Sequence, residues 1–509
     1  MHVSADCPPY NPPAVPSVDL TDVTEPTAAT KPIEGTDEAA SAKKTGEKRY
    51  DRSIVEGPLS AAVWKLAWPT ILANIIGGLQ GVIDHAMVGN YVGFTGNAAV
   101  GVSWQIFLVV IVFISSLFTG MSVLVARFAG AGDHEKVDRT VYQAFITAIV
   151  IALGVLAPVG YWLAPHLLGM VNASAAVQAE ALPFLRTMFV FSLGMMIFFM
   201  LAGALRSAGD ARTPMALGIA TTVLNVTFNV ILIRGLGPIP AYGTKGAAMG
   251  TSLAFGIVGI YSLWKLMMGG WVIRFPRHEG YAPDWAIIKS LFRFGLPTGI
   301  QGIAMNVGGV LLLGFIGSVK HGAEAQATYA VSYSELFSFV TWTSTALLGA
   351  AATVAGQNLG AGNPHRAVQG VHTAARIGLM GAAIIGALFL LIPAQLLAIF
   401  GMRDAIVVEI GTQLLRVLAL SGLFITVALT YTGGLQGTGD TKGPLYISIV
   451  SQLMLPLAIC FVMQRLGELQ PIHIWLAILA GHSTRCVLSV IRFNQGKWRN
   501  IKVDLSAHG

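Results

Sequence analysis

Charge is scarce in this chain. Of 509 residues only 11% are Asp, Glu, Lys or Arg, against about 25% in an average soluble domain. That excludes an ordinary soluble enzyme, and with 54% hydrophobic residues the composition is that of a polytopic, all-α membrane protein. Cysteine is scarce too. Cys7, Cys460 and Cys486 are scattered and odd in number, so neither a disulfide framework nor a metal site is implied. No His-Glu-x-x-His, Gly-x-Ser-x-Gly or paired intramembrane acids are present, which argues against a membrane-embedded enzyme and leaves no place for a bound cofactor. No repeated acid ring marks a channel filter. A charged-then-apolar signal peptide is also missing. Glycine, by contrast, is plentiful at 58 residues, as in packed transmembrane helices. The net charge of +7 reads as loop charge beside a membrane, not as affinity for nucleic acid.

Residues 1–57 are rich in Pro, Ala, Thr, Glu and Lys without an apolar period, and are expected to be a disordered cytoplasmic tail. Twelve apolar spans follow, near 64–88, 99–126, 140–168, 182–205, 213–233, 246–268, 290–318, 327–355, 368–400, 411–435, 444–464 and 471–492. They divide into an N-lobe (58–268), a basic linker (269–289), a C-lobe (290–495) and a tail (496–509). Loops on one side hold twelve Lys or Arg: Arg127, Lys136, Arg139, Arg206, Arg212, Lys265, Arg274, Arg277, Lys289, Arg293, Arg366 and Lys442. Loops on the other side hold five, namely Arg234, Lys245, Lys320, Arg403 and Arg465. The bias predicts that both termini are cytoplasmic, in a cell inner membrane.

The halves repeat each other. LAWPT around Pro69 recurs as FGLPT around Pro297, and WLAP at Pro165 as LLIP at Pro393, both at an offset of 228. FAGAGD around Gly132 recurs as NLGAGN around Gly362, and LRSAGDARTP around Gly209 as LQGTGDTKGP around Gly439, both at 230. Six spans per half is even, so the lobes share one orientation and are related by a parallel pseudo-two-fold axis along the membrane normal. Pro69 and Pro297 lie in the first helix of each half, where a missing N–H permits a bend. The glycines of the loop motifs permit tight reversals, and Asp210 and Asp440 are placed to cap the following helices.

One residue breaks both the apolar rule and the repeat. Asp84 lies inside the first span, where a carboxylate costs roughly 2.5–3.5 kcal/mol and marks an ion or substrate pathway by default. An offset near 229 lands at Leu313, which is apolar. A scaffold requirement would recur in both lobes; this acid does not. Asn225 and Asn229 lie four apart in the fifth span and share a face, while their counterparts Leu455 and Ile459 are apolar. With Thr251 of the sixth span, these groups are expected at one depth in the N-lobe, as a site for a proton or a small cation. His85, next to Asp84, points away. Glu335 in the eighth span is a candidate cavity residue.

The stretches AWPTILANIIGGLQGVIDHAMVG, LRSAGDARTPM, LNVTFNVILI and KGAAMGTS, and above all VAGQNLGAG ending at Gly362, resemble the multidrug and toxic compound extrusion (MATE) family of cation-coupled antiporters. The resemblance implies a two-lobed, V-shaped, twelve-helix fold. It implies export of amphipathic, often cationic, small molecules, with Asp84, Asn225, Asn229 and Thr251 as the coupling site. Met305 and Asn306 stand in the seventh span where some members carry an acid, and the tenth span has none. The chain therefore resembles the DNA-damage-inducible-type branch, which implies H+ over Na+ as coupling ion and small molecules and membrane lipid as partners of a monomer. The alternative is a flippase for a lipid-linked oligosaccharide or polyisoprenoid, which should show several Arg or Lys in its spans.

Overall fold

The computed structural model describes residues 50–171, 174–275, 282–467 and 469–503. Its architecture is a bundle of long helices, which follow each other as α1 (Leu59–Tyr91), α2 (Phe94–Ala131), α3 (His134–Met170), α4 (Ala175–Val190 with Ser192–Ser207), α5 (Arg212–Arg234) and α6 (Gly243–Met268). The second set is α7 (Trp285–Gly317), α8 (Gly322–Gly360), α9 (Pro364–Leu391), α10 (Ala405–Gly437), α11 (Lys442–Arg465) and α12 (Pro471–Asn494). Eleven are long and apolar enough to cross a membrane, and α4, bent by 52° at Phe191, makes twelve. Their outer surfaces are apolar: Trp162, Ile260, Val310 and Ile384 are each about two-thirds or more exposed. Apolar exposure on that scale belongs in lipid. The chain is a membrane protein.

One expected span is broken. The ninth ends at Leu391, and Pro393–Ile399 forms a separate short helix. Pro393 has no N–H to continue the ladder and pushes Ile392 out of the helical region. Its repeat partner Pro165 is instead accommodated inside α3, downstream of a π-helical segment at Ala152–Leu156. Two more π segments, Ala330–Leu336 in α8 and Ile449–Met454 in α11, lie in the second half.

The lobes are not cleanly six plus six. One buried apolar cluster belongs to the N-lobe but includes Ile287, Leu291 and Phe294 from the start of α7. A second is C-lobe alone. A third joins Ala62, Val63, Leu66 and Ala67 of α1 to α8, α9 and α10. Thus the first half of α1 packs on the C-lobe and the first half of α7 on the N-lobe. Pro69 and Pro297, both buried inside unbroken helices, sit just past these stretches, where each helix returns to its own lobe.

The repeat motifs explain the contact at the end of the bundle where the chain enters and leaves. A Cβ on Gly130 would meet the Gln357 carbonyl at 1.9 Å, and a Cβ on Gly360 would meet the Arg127 carbonyl at 2.0 Å. Gly130 and Gly360 are repeat partners, as are Arg127 and Gln357, so the contact is reciprocal about the pseudo-two-fold axis. Small residues let the backbones of α2 and α8 touch. The turn role expected for the motif glycines holds one step on: Gly132 and Gly362 have φ of 76° and 78°. Asp210 caps α5 by accepting from the Arg212 and Thr213 N–H groups, each at 3.0 Å, and Asp440 accepts from Gly443 N–H at 3.0 Å.

Parts of the segments expected to be tails, residues 50–57 and 496–503, are described and packed. Residues 50–57 are ordered, with a helical turn at Ser53–Glu56 and Ile54 fully buried, because Asn358 donates to the Ile54 carbonyl and Arg366 to that of Gly57. Trp498 is also fully buried and stacks on Phe493 at 5.1 Å, while Arg127 donates to the Ile501 carbonyl at 2.7 Å. Residues 1–49 and 504–509, and with them Cys7, lie outside the described residues, as does the middle of the expected linker at 276–281.

Candidate functional site

Asp84 stands two turns before the end of α1, on the face turned to α5. Asn225 and Asn229 rise from one face of α5, and Thr251 faces them from α6. The Asn229 amide donates to Asp84 Oδ1 at 2.7 Å and to Asn225 Oδ1 at 3.2 Å. Asn225 in turn donates to Thr251 Oγ1 at 2.9 Å. The four residues form one unbroken hydrogen-bonded chain across three helices. Asn225 and Asn229 are 0% exposed and Thr251 4%, whereas Asp84 is half-buried at the open end. Geometry at the amide depends on Gly250, whose Cβ would lie 2.1 Å from Asn229 Oδ1. That oxygen is buried with no hydrogen-bond partner. It lies against the α6 backbone at Gly250 as an acceptor without a donor.

His85 turns away, as its position on the helix requires, and pairs through Nδ1 with Asn97 Oδ1 at 2.6 Å. Glu335 lies on the π segment of α8 with its side chain exposed, apart from the four-residue chain.

Below Asp84 the polar line continues with residues the sequence did not single out. Thr222 donates to Gln80 Oε1 at 2.8 Å, and Asn74 donates to the Trp342 carbonyl at 3.1 Å. Gln80 lies one turn from Asp84, and Thr222 lies on the Asn225–Asn229 face, so helical spacing alone pointed to both. These groups open into a cavity of ≈350 Å³ between α1, α4, α5, α6 and α8. Phe198, Phe199, Phe255 and Trp342 supply its apolar walls, and Arg206 is the charged side chain among its lining. Within α4, Met195, Met196 and Met200 are core, while Phe198 and Phe199 face the cavity.

Two parallel-repeat bundles of membrane-spanning helices, with an ionisable group beside a cavity at their junction, define a two-lobed helical membrane transporter. The MatE family model matches residues 69–231 and 297–462, both halves of the repeat. The chain belongs to the MatE family. It is 29% identical over 444 residues to the probable multidrug resistance protein NorM of Thermotoga maritima, covering 85% of this chain and 92% of that one. It is 26% identical to the multidrug resistance protein MdtK of Edwardsiella ictaluri, covering 84% and 93%. Among solved structures, the outward-facing conformation of a multidrug resistance MATE family transporter of the MOP superfamily superposes with a TM-score of 0.81 at 20% identity, over 87% of this chain and 98% of that one. A MOP superfamily transporter from Pyrococcus furiosus gives 0.81 at 19% identity, over 87% and 97%.

Proposed function

We propose that the chain is a proton-coupled antiporter that exports amphipathic small molecules, drugs or metabolites, by alternating access. In this reading it works as a lipid-embedded monomer in the inner membrane with both termini cytoplasmic, and belongs to the DNA-damage-inducible-type branch. The end closed by Gly130 and Gly360 then faces the cytoplasm. The observation that carries the reading is the hydrogen-bonded chain from Asp84 to Thr251 beside the aromatic cavity. The relatives named for multidrug resistance support the export of small molecules.

The donor pattern favours H+ over Na+. Hard cations are held by oxygen atoms, but an amide N–H points at Asp84, so a sodium ion would require Asn229 to turn over. A proton requires no such change, because Asp84 can carry it on its other carboxylate oxygen while Oδ1 keeps the Asn229 N–H. Protonation from outside replaces a charged grip between α1 and α5 with a neutral one. The outer part of α1 is then free to bend at Pro69 against its inner part, which is anchored in the C-lobe cluster. Pro297 gives α7 the same freedom toward the N-lobe. Contraction of the cavity expels cargo, the proton leaves inward, and the two states differ in affinity for both ligands, as coupling demands. The cavity has Arg206 as its charged lining residue and not the several basic groups a lipid-oligosaccharide flippase needs. In proteoliposomes, efflux of a fluorescent amphipathic cation should follow an imposed pH gradient without Na+. A response to Na+ alone would overturn the assignment of the coupling ion.

A further inference from the structure

The C-lobe holds the repeat partner of the Asp84 site, and its polarity is reversed. A cavity of ≈150 Å³ lies between α7, α8, α11 and α12 and is lined by Met305, Leu312, Tyr333, Gln452 and His482, among others. At the offset of 228 kept by the prolines of α1 and α7, Leu312 is the counterpart of Asp84. Beside the cavity Arg485 is 2% exposed, and His482 in its wall is 3% exposed. No carboxylate lies within ion-pair distance of Arg485 among the described residues. The contact its guanidinium makes is a long one, from Nη1 to Met305 Sδ at 3.9 Å. Three more polar nitrogens are buried here without partners: Gln452 Nε2, His482 Nδ1 and Trp475 Nε1, the last on a ring stacked 6.1 Å from Tyr329. Arg485 Nε is unpartnered as well.

The backbone is also reshaped here. The π segments of α8 and α11 carry Tyr333 and Gln452 to this cavity, whereas the matching stretches of α2 and α5 are regular α-helix. π segments inside α-helices recur at functional sites. A buried cation without a counter-charge, beside buried polar nitrogens that lack partners, is costly unless something negative joins it.

We propose that this C-lobe cavity binds a small monovalent anion, of halide or short-carboxylate size, held by Arg485 and Gln452 with His482 and the tyrosines around it. The inference is independent of the coupling ion assigned to Asp84. Anion binding supplies the missing counter-charge and leaves the C-lobe cavity electrically neutral.

The test uses the purified full-length protein in detergent. Thermal unfolding is followed as sodium bromide or sodium acetate replaces sodium gluconate, a bulky anion, at constant ionic strength. The midpoint should rise saturably with bromide, acetate or both, and which of them acts separates a halide site from a carboxylate site. Arg485→Gln should remove the rise, and Gln452→Leu should shift half-saturation about tenfold, as loss of one hydrogen bond to a charged ligand does. Anomalous diffraction from bromide-soaked crystals should place a peak within hydrogen-bonding distance of Arg485, a readout that stands even if Arg485→Gln does not fold. No saturable rise with either anion, a rise unchanged in Gln452→Leu, or a bromide-dependent rise with no bromide in the cavity would overturn the proposal.

Discussion

The two lobes share one repeat plan and differ most in polarity at the Asp84 site. Where the N-lobe has Asp84, Asn225 and Asn229, the C-lobe has Leu312, Leu455 and Ile459. Where the N-lobe helix α6 has Thr251, the C-lobe helix α12 has Gly481, with the buried pair His482 and Arg485 just after it. At the closed end, by contrast, the lobes match residue for residue: Gly130 touches the α8 backbone just as Gly360 touches that of α2. The difference teaches which features serve the scaffold. Contacts that hold the lobes together recur under the repeat; the polar groups proposed to bind an ion do not.

That contrast can be broken or sharpened by substitution, beginning with the largest effect. Giving the N-lobe its partner's residue, Asn229→Leu, removes the donor to Asp84. The loss of about 1.5–3 kcal/mol expected for a hydrogen bond to a charged group should lower pH-driven efflux roughly ten- to hundredfold. Ile459→Val in the C-lobe should leave efflux near wild type, and equal effects at both positions would end the claim of divergence. Next come the scaffold glycines. Gly130→Ala and Gly360→Ala each force a methyl onto a carbonyl and should each cost about 1–3 kcal/mol, read as equal falls in unfolding temperature. Clearly unequal falls would mean that the reciprocal contact is not shared.

A smaller asymmetry lies in the caps. Asp440 also pairs with Arg492 at 2.7 Å and its side chain is 5% exposed, whereas Asp210 is bound through the Arg212, Thr213 and Thr213 hydroxyl contacts of its own turn. Each loses a cap worth about 1 kcal/mol on substitution by Ala, and Asp440→Ala should cost more because Arg492 is left unpaired. Thermal unfolding of the two variants side by side decides it. The smallest effect concerns cargo: Arg206→Gln removes the positive charge from the central cavity and should raise the apparent affinity for cationic over neutral cargo severalfold in competition assays.

Much of this was legible in the sequence because lipid removes alternatives. Backbone groups in hydrocarbon must be satisfied within each segment, so apolar length alone located the twelve spans, and the repeat located the lobes. The Asp84 chain was legible because a polar residue in a span needs a reason and the spacing of Asn225 and Asn229 fixes their common face. Other features were hidden. The return of α1 and α7 to their own lobes depends on packing between distant segments, which no local pattern records. Gly130 and Gly360 lay inside motifs whose turn glycines, Gly132 and Gly362, already gave those motifs a purpose. Arg485 sits amid the apolar run of α12, and only the fold shows that its side chain is buried with no acid within ion-pair distance among the described residues. The break at Ile392 was masked because its repeat partner at Pro165 stays helical.

The central claim is that Asp84 couples a proton gradient to movement. The direct test is efflux of a fluorescent amphipathic cation from proteoliposomes under an imposed pH gradient without Na+, for wild type and Asp84→Asn side by side, with folding of both checked by thermal unfolding. The account predicts pH-driven efflux in the wild type and efflux at the level of empty vesicles in a folded Asp84→Asn. Full pH-driven efflux by the folded variant would contradict it.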